Sequence, residues 1–253
     1  MKSFITLKNN KTFKAWVIIF WILVWGIVSL LINKEIYLPS PISTLEAFLK
    51  LVVKVEFWKS IFLSIFRVMF GFIISCILGI FIGIICGLNK LFYELFNPLI
   101  VSIKSTPVMS FIIIALIWFK SGNVPIFICF LMCFPVIWTN VVEGIRNVDS
   151  NLLEMSHIYN VKRYMIIRKI YIPSVIPYIS AAITMALGLG WKVTVAAEVL
   201  SSPKYSIGKH LYDAKVYLES ADLFAWTGVI IILSFGFEFL FKYIFKRLKL
   251  VGY

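Results

Sequence analysis

Apolar residues in this chain gather into long runs, and polar residues are confined mainly to the stretches between them. About 20 apolar residues in helical form span the hydrocarbon core of a bilayer. Six runs suit that length, at about 15–32, 68–88, 99–119, 124–142, 175–200 and 223–245. They predict an all-α integral membrane protein with six spans. Lys2, Lys8, Lys11 and Lys14 precede the first run as in a basic leader. However, that run is too long for the core of a cleaved signal and no small-x-small site follows it, so it reads as a retained anchor.

The stretches between the runs have their own patterns. In 33–67, Leu38-Pro39-Ser40-Pro41 must be extended, because a residue before proline is pushed out of the helical region. Ser43 or Thr44 can then cap a helix. Leu45, Phe48, Leu49, Val52 and Val55 follow at helical spacing with Lys50, Lys54 and Lys59 between them, which predicts an amphipathic helix at the outer interface. Gly71 is followed by Gly79, Gly83 and Gly87, the last three in strict i+4 register. Such a smooth stripe lets a second helix approach closely, although glycine is also generally frequent in membrane helices. Pro107, Pro135 and Pro177 predict bends, which suit a translocation path but also occur in inert bundles.

The polar stretch 143–174 is the one long connection on its side. Asn151 can cap a helix from Leu152 to about Tyr159, with Glu154 placed as in a capping box. Asn160 suits a left-handed stop. A second short helix, Lys162 to Tyr171, gathers Ile166, Ile167, Ile170 and Tyr171 on one side, and Pro173 is expected to end it. Helix, sharp turn, helix and proline make a shape that a soluble partner could grip. A plain amphipathic loop feeding the fifth span is the other reading.

Composition agrees with a membrane protein. The chain is 61% hydrophobic with mean hydropathy +0.95, against roughly half apolar in soluble domains. A net charge of +13 raises the question of nucleic acid. The basic residues sit at the ends of apolar runs rather than in one patch, so no nucleic-acid partner is expected. With a cytoplasmic N-terminus, fifteen of the 25 Lys/Arg fall inside and nine outside, with Lys192 within a span. Both termini are then expected in the cytoplasm. No linker, low-complexity tract or internal repeat divides the chain, so 1–253 reads as one transmembrane domain.

Few side chains offer chemistry. Cys76, Cys86, Cys129 and Cys133 lie within spans and read as buried apolar residues. His157 and His210 do not sit at a ligand spacing and no H-E-x-x-H occurs, so both read as ordinary exposed or partly buried residues and no metal site is expected. Lys192 lies about 22 Å along the fifth helix from Pro177. A lysine there costs roughly 3 kcal/mol on insertion, so it must face protein or water. It is a candidate for lining a pathway that favours anions. A structural partner, or a lysine snorkelling outward, is the alternative. Trp191 and Trp118 read as packing or interface residues. The loop 201–222 mixes Lys204, Lys209 and Lys215 with Asp213, Glu219 and Asp222, suiting either a partner face or a solvated connection.

The stretch from Glu154 to Pro173 resembles the EAA loop of ABC-importer permeases. Glu154, Asn160, Ile170, Ile172 and Pro173 occupy that motif's places with no insertion. Met155 and Ser156 stand where the motif has alanines, and Asn160 where it has glycine. In order and spacing, "LPSPISTLEAF" (38–48), "SIFRVMFGFIISCILGIFIGIICGLNK" (64–90), "NPLIVSIKSTPVMSFIIIALIWF" (97–119), "VVEGIRNVDSNLLE" (141–154) and "WKVTVAAEVL" (191–200) resemble the nitrate/sulfonate/taurine-type branch.

The resemblance implies a six-transmembrane-helix permease bundle with a cytoplasmic coupling helix, in a bacterial cytoplasmic membrane. It implies an ABC ATPase dimer gripping Glu154, Met155, Ser156, His157, Asn160, Ile170, Ile172 and Pro173. It also implies a second permease copy or paralogue and an extracytoplasmic substrate-binding protein delivering a small solute such as a sulfonate or nitrate. It makes Glu198, expected near the outer end of the fifth span, a gate or helix-packing residue, with a solvated helix end as the other reading. No G-x-x-x-x-G-K-[ST] loop occurs. The chain is therefore expected to be non-catalytic, with ATP and Mg bound by the partner ATPase. A self-sufficient secondary transporter or channel is the alternative, but it calls for inverted repeats and several intramembrane carboxylates. An intramembrane enzyme lacks a nucleophile, base or metal set.

Overall fold

The computed structural model describes residues 11–247, apart from the side chains of 11–15, 242 and 244–247. Lys2, Lys8 and Lys249, and the side chains of Lys11, Lys14, Lys242, Lys246 and Arg247, on which the expected orientation leans, lie outside the described residues. Eleven α-helices and one π-turn are described, arranged in two compact units, Met1–Phe57 with His210–Gly228 and Trp58–Lys209 with Val229–Tyr253.

In the first unit, α1 (Lys11–Ile32) stops at Asn33, whose φ of 49° turns the chain left-handed. Side chains of α1 hold the extended segment after it. Trp25 Nε1 donates to Pro39 O at 3.1 Å and Ser29 Oγ to Leu38 O at 3.0 Å. The next helix, α2 (Pro41–Val52), is capped by Ser40, not by Ser43 or Thr44. Pro41 fixes the first helical φ and needs no partner for a missing N–H. The amide of Ser43 then reaches Ser40 Oγ at 3.0 Å. α2 buries Ala47 and Leu51 and leaves Ile42, Leu45 and Leu49 exposed. The unit also holds an aromatic stack, with His210 flat on Trp226 at 4.7 Å and Phe57 against the same ring at 4.9 Å.

In the second unit, α3 (Val55–Leu88) runs parallel to α6 (Val124–Arg146). The glycines of α3 set the spacing. A Cβ on Gly79, Gly83 or Gly87 would lie 2.9 Å from Ile137, Val141 or Ile145 respectively. Those partners are also four residues apart, so i±4 ridges of the two helices interlock. α9 (Ile172–Ser201) packs antiparallel on α6, with Gly144 beneath Tyr178 and Gly190 beneath Cys133. Cys129 and Cys133 are buried in this seam and donate to Val68 O and Ala186 O. Cys86 is buried and Cys76 half-buried.

The run expected as one span at 99–119 is broken. α4 (Lys90–Ser105) and α5 (Val108–Trp118) meet at 102°. Pro107 has no N–H to continue a helix, and it drives Thr106 to extended geometry, φ −82° and ψ 134°. Thr106 closes α4 with both its amide and its hydroxyl on Ser102 O. Among the described residues, four helices are long and apolar enough to cross a membrane, or five if this bent pair is one span. The apolar part of α1, Trp16–Ile32, is shorter. α10 (Ile207–Val216) and α11 (Ser220–Arg247) are the last described helices.

Candidate functional site

The stretch after α6 folds as an elbow. α7 (Ser150–Ile158) is capped by Asp149, whose Oδ1 accepts from the Asn151 amide at 2.9 Å. The expected cap, Asn151, is instead inside the helix, because the carboxylate two residues earlier already satisfies its N–H. This moves the first turn back by two residues, so Glu154 is not at the third helical position. The helix ends in a Schellman motif. Val161 N donates to Ser156 O at 2.9 Å and Asn160 N to His157 O at 3.1 Å, with Asn160 at φ 48°. α8 (Arg163–Ile166) follows.

Pro173 does not end the second helix. The chain passes through a π-turn, Ile167–Tyr171, and continues into α9 as one helix from Arg163 to Ser201. In an α-helix the proline ring would collide with the carbonyl four residues back. Here Ile172 N reaches back five residues to Ile167 O, and the wider turn makes room for the ring.

Glu154, Met155, His157, Asn160 and Ile172 are exposed, Ile170 is half-buried, and Ser156 is buried with its hydroxyl on Leu153 O at 2.7 Å. At about 100° per residue, Leu153, Ser156 and His157 fall on one side of α7. Met155, Ile158 and Tyr159 fall on the other, and Ile158 and Tyr159 are 78% and 75% exposed. The inner side overhangs a cavity of about 800 Å³.

At the far end of α9, Glu198 is fully buried. Its carboxylate accepts from Arg67 Nη1 at 2.8 Å, from Ser64 Oγ at 2.8 Å and from the Gly208 amide at 3.1 Å. Arg67 Nη1 also donates to Tyr205 O at 2.9 Å, and the Ile207 amide donates to Ser64 Oγ at 3.0 Å. Ser202, left-handed at φ 43°, turns the chain back so that 205–208 can reach this cluster. Gly208 is required by closeness: a Cβ there would meet Val199 N at 2.6 Å. A buried ion pair is tolerated only when its remaining hydrogen-bonding capacity is met, and here both carboxylate oxygens are met. Sequence reasoning found Glu198 but missed Ser64, Arg67 and Gly208. The signal was the requirement that an intramembrane carboxylate have a named partner. Arg67 directly precedes the expected second span, as Lys14 precedes the first and Lys120 follows the third.

Lys192 lies between buried Trp191 and Val193, yet its own side chain is exposed and has no hydrogen bond or ion pair among the described residues. The structure does not bring it to Glu198. Trp191 packs on Phe237 at 5.5 Å, whereas Trp118 is exposed.

The family described as "Binding-protein-dependent transport system inner membrane component" matches residues 79–250. The chain is 28% identical over 217 residues to the protein named aliphatic sulfonates transport permease protein SsuC of Bacillus subtilis (strain 168), covering 85% of this chain and 78% of that one. It is 31% identical over 184 residues to SsuC of Escherichia coli (strain K12), covering 72% and 70%. To the taurine transport system permease protein TauC of Escherichia coli (strain K12) it is 23% identical over 230 residues, covering 88% and 83%. A chain from the solved structure "Inward facing conformations of the MetNI methionine ABC transporter" superposes with TM-score 0.56 at 15% identity, over 75% of this chain and 93% of that one. At that identity the likeness is one of fold. The chain belongs to the binding-protein-dependent transport system inner membrane components, as a multi-pass ABC-importer permease of the nitrate/sulfonate/taurine branch.

Proposed function

We propose that this permease forms half of a translocation pathway for a small oxyanion, a sulfonate being the best fit, and that α7 is its coupling helix. The observation that carries the reading is the elbow. A helix pinned by a cap at one end and a Schellman turn at the other leaves Met155, Ile158 and Tyr159 bare on its outward side. In an importer permease, such a face suits an ABC ATPase dimer, which binds ATP and Mg and closes against two such elbows. Two copies of this chain form the simplest pathway, with a substrate-binding protein docking on the opposite membrane face. The elbow and both termini are then cytoplasmic. The spans are α1, α3, the α4–α5 pair, α6, α9 and α11.

The names of the relatives support the substrate class, since sulfonates and taurine both present a sulfonate group. Family membership displaces the self-sufficient secondary transporter. Lys192 is the cation proposed to face the pathway. An unpaired ammonium exposed on the surface of one chain needs water or a second copy rather than lipid.

Two experiments test this. Purification in mild detergent from native membranes should retain an ATPase with wild type and lose it with Glu154→Arg, while the permease keeps its elution volume. A wild type that elutes alone and folded would sink the coupling reading. Lys192→Met should cut sulfonate uptake severalfold without altering ATPase retention, and unchanged uptake and substrate preference would remove Lys192 from the pathway.

A further inference from the structure

We infer that the cavity beneath the elbow binds one anionic membrane phospholipid, with an acyl chain in its apolar part and the phosphate on Arg163. The inference takes from the proposed topology that this end of α9 lies at the inner face of the membrane. At about 800 Å³ the cavity is large, within the roughly 300–1,000 Å³ of sites that enclose small ligands. Ile84 and Leu88 at the end of α3, with Val175, Ile176 and Ile179 at the start of α9, make its floor. Both helices are of membrane-spanning length, and the proposed topology puts this floor toward the inner end of the bilayer. Arg163 stands at its polar edge.

Charge decides the kind of occupant. Lys162, Arg168 and Lys169 lie within six residues of Arg163 in the chain, and all four are exposed. The ion pairs Arg67–Glu198 and Lys90–Glu94 use none of them. Basic pockets between membrane helices at the cytoplasmic face attract anionic headgroups, and a guanidinium can hold a phosphate through two parallel hydrogen bonds. A second copy of this chain would bring the same surplus of positive charge. A gripping ATPase has the opposite side of α7, where Met155 and Ile158 lie. A lipid fits the remaining combination of an apolar floor and a cationic edge.

The test is native mass spectrometry of the full-length, delipidated permease titrated with phosphatidylglycerol or phosphatidylcholine of matched chains. One phosphatidylglycerol should bind per chain, and phosphatidylcholine several times more weakly. Arg163→Ala should lower phosphatidylglycerol binding about fivefold, as expected for one basic residue at a membrane surface. Ile176→Trp should fill the floor and reduce both lipids, with thermal midpoints confirming that each variant is folded. Arg163 is exposed, so that variant decides the matter if Ile176→Trp does not fold. Equal binding of the two lipids to wild type, or a preference untouched by Arg163→Ala, overturns the site. A wild type that holds its ATPase but no lipid overturns the lipid site alone. Lipid held without an ATPase overturns the coupling reading alone.

Discussion

The two ends of α9 are built on opposite plans. At the Glu198 end, a buried carboxylate has four donor contacts, from a guanidinium, a hydroxyl reaching both oxygens, and a backbone amide. At the Pro173 end the helix widens, a cavity lies open, and four cations have no carboxylate partner among the described residues. The first end is complete within one chain. The second is left for something else to complete. One helix thus joins a fixed anchor to an unsatisfied surface, an arrangement suited to a part that must be held at one end and pushed at the other.

Breaking the anchor should have the largest effect on stability. Arg67→Ala leaves the Glu198 carboxylate buried without its cation, and removing one partner of a buried pair costs about 3–5 kcal/mol. A sharp fall in the thermal unfolding midpoint of the detergent-purified chain is expected. Arg67→Met with Glu198→Met should recover much of that loss, since the uncompensated charge is gone. A double variant as unstable as the single would mean that the anchor works by shape and not by charge pairing. Next comes the glycine seam between α3 and α6. Gly83→Val would press into Val141, and overpacking of this kind costs about 1–3 kcal/mol. A midpoint unchanged from wild type would show that α3 and α6 can separate freely.

The elbow should respond least in stability. Asn160→Val puts a β-branched residue at φ 48°, at a cost of roughly 1–2 kcal/mol, whereas Asn160→Gly should be neutral or slightly stabilising. The sharper readout is ATPase retention, which Asn160→Val should weaken and Asn160→Gly should keep. Equal behaviour of the two variants would dissociate the left-handed turn from coupling.

Much of the elbow was legible because its signals are local. Asn160 is one of the few side chains that tolerates a left-handed turn, and the apolar residues around it fall at helical spacing. The glycine register was equally plain, since four-residue spacing on a helix is a face. Other features depended on competition. Asp149 and Asn151 are both good caps two residues apart, and nothing in their order says which will bind the amide. Proline usually ends a helix, and the π-turn that lets Pro173 stay requires that the chain beyond it be held. The break at Pro107 turned on the same residue type with the opposite result. The Arg67–Glu198 pair lies beyond local reading altogether, because its members are separated by 131 residues and meet only through packing of α3 on the rest of the unit.

The π-turn has a mechanical consequence. It stores one surplus residue in the thread of a helix that is otherwise regular from Arg163 to Ser201. That surplus sets the heading of the elbow: without it, everything before the turn would stand about 100° further round and about 1.5 Å along the axis. Pro173 keeps it there, because an ordinary turn would bring its ring against the carbonyl four residues back. The bearing of α7 on α9 is thus fixed by one ring, as the bit of a key is fixed to its shaft.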